Sequence, residues 1–189
     1  WDYIAEIAKP WFVKKIVLTG TESTGKSVLT GKLANHFQTV FVPETGRDIV
    51  QKTSGCTMDN LYKIAFEHAQ AIKSLQPGAN KLLFVDTDLT TTQSYARFLF
   101  NKELEAEPWI EEVNRFDLYL FSEPDCEFVQ DGTRLSFEER NALGDHHKAF
   151  FLNKNIPLVS INGSWEDRFN QAVTRIEQLF FNKKQQSVG

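Results

Sequence analysis

Gly20-Thr21-Glu22-Ser23-Thr24-Gly25-Lys26-Ser27 matches in full the pattern G-x-x-x-x-G-K-[ST] of a phosphate-binding loop. A chain of phosphates needs several convergent positive dipoles and no bulky side chain in the way. Gly20 and Gly25 let the backbone curl so that successive N–H groups face one anion, Lys26 reaches the β- and γ-phosphates, and Ser27 offers its hydroxyl to a divalent cation. The flanks agree with this reading. Lys15-Ile16-Val17-Leu18-Thr19 is a short apolar, β-branched run of the kind buried in a parallel sheet, and the loop begins where it stops. Val28 to Phe37 follows as a predicted helix whose positive N-terminal end faces the same anion. Strand, loop and helix together predict nucleoside-triphosphate binding rather than a surface Gly-Ser loop.

Composition bounds the rest. A chain of 189 residues, 41% hydrophobic and 13% aromatic, suits one α/β domain with an ample core. Lys and Arg number 21 against 25 Asp and Glu, a net charge of −4, and no basic block stands out apart from Lys183-Lys184, so nucleic acid is not expected as a partner. Cys56 and Cys126 lie far apart without a metal-ligand pattern, which predicts free thiols in a reducing cytoplasm. No apolar segment has the length of a bilayer span, and no membrane partner is expected. The chain opens on Trp1 rather than Met. Residues 1–12, an aromatic-rich lead-in with Pro10, read either as a packed N-terminal extension or as the end of an interdomain linker; residues 13–182 read as the nucleotide-binding domain, and 183–189 as a polar tail that frays.

After the first helix, Thr39 to Val42 is a second short strand stopped by Pro43, and Glu44 and Arg47 follow at its C-terminal end, where open parallel sheets form their ligand crevice. Both are site candidates; the plainer alternative places Glu44 in the first turn of a helix, facing its dipole. Thr57 to Leu75 is an amphipathic helix with Leu61, Ile64, Ala65, His68, Ile72 and Leu75 on one face, closed by Pro77-Gly78; a lone histidine in such a stripe reads as a partnered core residue. Lys81 to Asp86 is an apolar strand ending in an acid, the pattern in which a carboxylate holds Mg²⁺ beside the phosphate-loop Ser27. Asp88 is either a second carboxylate of the site or the N-cap of the helix that opens with Thr90-Thr91-Thr92.

Pro108 starts a predicted helix through Arg115, and Asp117 to Phe121 is a fourth strand. In the polar stretch Asp125 to Asp145, Asp131-Gly132-Thr133-Arg134 makes a turn, and Ser136 with Glu139 forms a capping box for a helix carrying Arg140. A loop presenting arginines at this place suits a lid that neutralises a transferring phosphoryl group; the alternative is a solvated turn. Pro157 to Ile161 is a fifth strand, and Ser164 caps a last helix with Phe169, Val173, Ile176 and Leu179 as its apolar face; the turn between them can border a nucleotide base. The expected fold is a three-layer α/β sandwich with a five-stranded parallel sheet, of the phosphate-loop nucleoside-kinase type, with a lid segment.

Taken together, the phosphate loop, Pro43-Glu44-Thr45-Gly46-Arg47, Phe84-Val85-Asp86-Thr87-Asp88 with its threonines, and Asp131-Gly132-Thr133-Arg134 resemble the ribosylnicotinamide kinase domain of the bifunctional NadR family over nearly the whole chain. The resemblance implies an ATP- and Mg²⁺-dependent kinase acting on the 5′-hydroxyl of nicotinamide riboside in NAD salvage. It also implies a longer protein in which an adenylyltransferase domain precedes this one, with Trp1-Asp2-Tyr3-Ile4 and Pro10-Trp11-Phe12 similar to the junction. Carried onto this sequence, residues 20 to 28, Gly20 through Ser27 and Val28, bind the nucleotide; Lys26, Glu44, Asp86 and Arg134 are catalytic; Glu44, Arg47, Asp88 and Tyr95 bind the acceptor; and Ser27 and Asp86 hold the metal. The pyridinium charge of such an acceptor calls for aromatic faces or carboxylates. Tyr62, Phe66, Tyr95 and Phe98 are suitably placed, with Phe66 and Phe98 expected in the core. Rival readings are a kinase for another nucleoside and a module that senses ATP without transferring phosphate.

Overall fold

In the computed structural model of the chain, residues 1–46, 56–125 and 136–181 are described. The apolar runs read above form five strands, β1 (Lys14–Thr19), β2 (Phe41–Val42), β3 (Leu82–Asp86), β4 (Leu118–Ser122) and β5 (Leu158–Ile161). They pair in the order β2-β3-β1-β4-β5, and every pair is parallel. Parallel strands need crossovers, and the helical stretches supply them. Seven α-helices are described: α1 (Lys9–Phe12), α2 (Lys26–His36), α3 (Met58–Leu75), α4 (Leu89–Phe100), α5 (Pro108–Val113), α6 (Phe137–Asn153) and α7 (Trp165–Phe180).

Alternation along the buried strands builds a core on each face of the sheet. Ile16, Leu18, Leu82, Phe84, Leu118 and Leu120 point to one side, where Leu29 and Leu33 of α2 and Ala172 and Ile176 of α7 cover them. Val17, Leu83, Val85 and Tyr119 point to the other, under Ile72 of α3 and Phe151 of α6. The result is the expected helix–sheet–helix sandwich. A third apolar cluster, with Leu61, Ala65, Leu89, Ala96 and Ile110, joins α3, α4 and α5.

Several boundaries differ from the sequence reading, each for a local reason. The helix after the phosphate loop starts at Lys26 rather than Val28, because Gly25 takes the left-handed conformation (φ 74°) and turns the chain directly into it. Pairing in β2 covers only Phe41–Val42, since the Thr39 hydroxyl bonds the Leu82 carbonyl at 2.6 Å in place of a ladder bond. Helix α5 stops at Val113, two residues early, and Asn114 turns its side chain back to accept the Leu89 N–H. On α7 the buried positions are Arg168, Ala172 and Ile176, so Leu179 stays 40% exposed outside the stripe expected for it. Phe66 is also outside the core, 40% exposed and edge-on to Trp109.

In the lead-in, Trp1 packs against the second core cluster and Gln76 donates to the Pro10 carbonyl, while Tyr3, Ile7 and Trp11 remain in solvent. The tail, the Asp131–Arg134 turn expected in the lid, Arg47 and Cys126 fall outside the described residues.

The phosphate loop leaves the centre of the sheet at a point of backbone-to-backbone contact. Gly20 has φ 130°, and a Cβ there would meet the Ser122 carbonyl oxygen of β4 at 2.7 Å. Neither backbone has room to retreat without opening the β1–β4 ladder. Gly20→Ala is therefore expected to lower the unfolding free energy by about 2–3 kcal/mol, read from the urea midpoint at unchanged m-value; a variant within about 0.5 kcal/mol of the parent would show that β4 yields freely.

Candidate active site

The C-terminal ends of β1, β2 and β3 bring the phosphate loop, Glu44 and Asp86 to one edge of the sheet. The loop is curled by hydrogen bonds of its own. The Thr21 carbonyl accepts from both the Thr24 hydroxyl, at 2.8 Å, and the Lys26 ammonium, at 2.6 Å. Lys26 is only 7% exposed, its charge folded back over its own loop. A phosphate entering the loop would replace one neutral carbonyl with anionic oxygens, a stronger partner for the same ammonium.

Asp86 ends β3 with no solvent exposure. Burial raises its carboxyl pKa; the nearby Lys26 ammonium opposes this, the Glu44 carboxylate reinforces it, and hydrogen bonds from the Ser27 and Thr87 hydroxyls oppose it. Its Oδ2 is buried without a hydrogen-bond partner. A buried orphan carboxylate oxygen beside the phosphate-loop serine suits a hydrated Mg²⁺. Among the described residues there is no group of three His, Cys, Asp or Glu placed to hold a metal, so such an ion would take its remaining ligands from phosphate and water.

Glu44 is partly buried, and its charge acts on Tyr95 as well as on Asp86. The Tyr95 hydroxyl is driven above its ordinary pKa, first by burial and then by the charges of Glu22 and Glu44. The loop, Asp86, Glu44 and Tyr95 thus form one electrostatic neighbourhood.

Asp88 has a structural place of its own. It is the N-cap of α4, accepting from the Thr90 and Thr91 N–H groups and, at 2.6 Å, from the Thr91 hydroxyl. Thr91 also meets Thr19 of β1 at 2.6 Å, so this acid ties the helix to the strand that launches the loop. Arg140 is fully buried, donating to the Pro124 carbonyl at 2.9 Å and lying over the Phe137 ring, which fixes the start of α6 instead of presenting a cation to solvent. His68 is buried and faces the Asp86 main chain; desolvation lowers its pKa to about 4, so it is neutral at physiological pH.

Three residues near the site gave no recognisable signal in sequence. Gly144 of α6 passes so close to the loop that a Cβ would lie 3.4 Å from the Thr21 methyl. His147, one turn on, is fully buried with its Nδ1 2.8 Å from the Ser94 hydroxyl. Burial, with Lys26 and His146 nearby, lowers its pKa to about 3. Trp165 lies against Gly25. Each is placed by α6 or α7 packing back onto the loop or onto α4 from far along the chain, a relation that no local pattern encodes.

The family described as "AAA domain" matches residues 15–168. The chain belongs to that family. Homology to NadR spans nearly all of it: the "Trifunctional NAD biosynthesis/regulator protein NadR" of Escherichia coli strain K12 is 38% identical over 187 residues, 95% of this chain and 46% of that protein. The protein of the same name from Salmonella typhimurium is 34% identical, with the same coverage. The chain thus spans about half the length of these relatives. Among solved structures, a NadR protein in complex with NR superposes with a TM-score of 0.76 at 21% identity, covering 94% of this chain and 54% of that one, a likeness of fold.

The buried Asp86 carboxylate has a measurable cost in the nucleotide-free protein. Its pKa is raised by folding, so the folded state is disfavoured once the pH exceeds the unfolded value of about 4, and the cost vanishes at lower pH where both states are protonated. Asp86→Asn, in EDTA, should therefore be more stable than the parent at pH 7, with the gap closing as the pH falls towards 4. Equal urea midpoints across that range would mean that Lys26 and Ser27 fully compensate the burial.

Proposed function

We propose that the chain is an ATP-dependent kinase that phosphorylates the 5′-hydroxyl of nicotinamide riboside, giving nicotinamide mononucleotide and ADP. The observation that carries this reading is the meeting of Lys26, Ser27, Asp86 and Glu44 at one sheet edge, in a chain homologous over nearly its whole length to proteins of NAD biosynthesis. A phosphate loop alone would serve any nucleotide-binding protein; a carboxylate added beside it, partly buried and next to an aromatic hydroxyl, suits an acceptor alcohol.

Phosphoryl transfer is mostly positioning and charge stabilisation. In this reading the backbone amides of the loop hold the β- and γ-phosphates, and Lys26 moves from the Thr21 carbonyl onto them. Glu44 orients the acceptor hydroxyl and takes its proton as the new O–P bond forms and the bond to the ADP oxygen breaks. Ser27 and Asp86 would hold Mg²⁺, which supplies neutralisation of the phosphate charge. Tyr95 offers a ring and Glu44 a charge to the pyridinium cation. Arg47 and Arg134 are assigned to the acceptor and to the transferring group from the sequence motifs, and Asp88 acts on the acceptor side through the helix it caps. A fusion to an upstream adenylyltransferase and a cytoplasmic location belong to the same reading.

Two measurements test it. Lys26→Ala should fold normally and lose at least about a hundredfold in kcat, since a cation at the transferring phosphates contributes on the order of 3 kcal/mol; near-normal turnover would remove the loop from the donor site. In a panel of acceptors, kcat/KM should favour nicotinamide riboside over uridine, cytidine and deoxynucleosides. An uncharged nucleoside preferred by about tenfold, ~1.4 kcal/mol of transition-state binding, would overturn the acceptor while leaving the kinase.

A further inference from the structure

The turn that follows β5 sits beside the phosphate loop and has spent its backbone on itself. The Asn162 N–H donates to Gln171 Oε1 at 3.2 Å, the Gly163 N–H to Asp125 Oδ2 at 2.7 Å and the Ser164 N–H to Asp167 Oδ2 at 3.0 Å. The Asn162 carbonyl accepts from Gln171 and the Gly163 carbonyl from Arg168. What the turn does present is an aromatic face. Trp165 opens α7 and keeps half of its surface, 52%, in solvent.

This ring is held in place. A Cβ on Gly25 would fall 1.9 Å from its Cζ3 and 2.2 Å from its Cη2, so the indole lies directly on the Cα of the last loop glycine. The guanidinium of fully buried Arg168 stands 5.9 Å from the ring centroid. Arg168 is itself fixed by the Gly163 carbonyl at 2.9 Å, the Glu123 carbonyl at 3.0 Å and the Asp125 carboxylate. An exposed Trp this firmly seated is preorganised, which lowers the entropy lost when something stacks on it. With phosphates in the loop, the base of the same nucleotide lies one ribose away.

We propose that Trp165 is the platform on which the base of the nucleotide donor stacks, so that the donor base is gripped through its ring face rather than by hydrogen bonds from the turn after β5. This rests on the donor-site reading above and adds to it the residue that separates a nucleotide from a bare polyphosphate.

The test compares AMP-PNP with inorganic tripolyphosphate, each titrated calorimetrically with Mg²⁺ into the parent chain and into Trp165→Ala, Trp165→Leu and Trp165→Phe. Loss of stacking should weaken AMP-PNP by about tenfold or more in the Ala and Leu variants, and GMP-PNP by a similar factor, with Phe within about threefold of the parent. Tripolyphosphate should bind all four proteins alike. Leu keeps apolar bulk on Gly25, so its result stands if the Ala variant fails to fold. Equal losses for AMP-PNP and tripolyphosphate would make Trp165 a prop for the loop and overturn the proposal, as would unchanged AMP-PNP affinity or a loss confined to AMP-PNP with GMP-PNP unaffected. A parent chain that binds tripolyphosphate but not AMP-PNP overturns the platform alone. A parent that binds neither overturns the donor site itself.

Discussion

One ammonium and one carboxylate, both buried at the end of the sheet, constrain the rest of the site. Lys26 at 7% exposure and Asp86 at zero are charges that water cannot reach freely, and each moderates the cost of the other. The pairing is incomplete. Lys26 leans on a carbonyl and Asp86 keeps an oxygen without a partner, so the two side chains have more polar capacity than the protein itself uses. Such a site is stabilised by whatever brings anionic oxygens to Lys26 and a cation to Asp86. A triphosphate with its metal brings both at once, and the sheet supplies the rigidity that keeps the two residues from collapsing onto each other.

Much of this was legible in sequence because it is encoded locally. Glycine spacing, a Lys-Ser pair and a preceding β-branched run specify the loop; an apolar strand ending in an acid puts Asp86 at the same sheet edge; and the near-continuous apolar runs of β1, β3 and β4 specify strands buried on both faces. The capping box of Ser136 and Glu139 and the cap at Ser164 were equally readable, since both partners lie within one turn. Asp88 was ambiguous for a physical reason: a carboxylate two residues past a strand end is in reach both of a ligand crevice and of the next helix's first N–H groups. The contacts of Trp165 with Gly25, of Gly144 with Thr21 and of His147 with Ser94 were not legible. They join residues over a hundred positions apart in two cases and fifty-three in the third, and sequence periodicity carries no information at that range.

Among the described residues the two largest fully buried side chains are arginines, Arg140 and Arg168, and their position explains why the core tolerates them. Where β4 ends, the Glu123 to Asp125 segment leaves the sheet and its carbonyls lose their ladder partners. Arg168 from α7 takes the Glu123 carbonyl, Arg140 from α6 takes the Pro124 carbonyl, and Lys148 of α6 pairs with the Glu123 carboxylate at 2.6 Å. Leucines of similar volume would fill the space and leave those carbonyls buried without donors, at about 1–3 kcal/mol each. Arg168 acts as a rigid multi-pronged donor, its Nε on the Gly163 carbonyl and its Nη2 on the Glu123 carbonyl and the Asp125 carboxylate, an arrangement that a lysine could not imitate. Through the two arginines, the helix that touches the phosphate loop at Thr21 and the helix that rests Trp165 on Gly25 grip one short segment from opposite sides. The loop's geometry is therefore maintained from beyond the loop: its glycines permit the curl, and a buried cationic frame built around the end of β4 holds α6 and α7 where the curl fits between them.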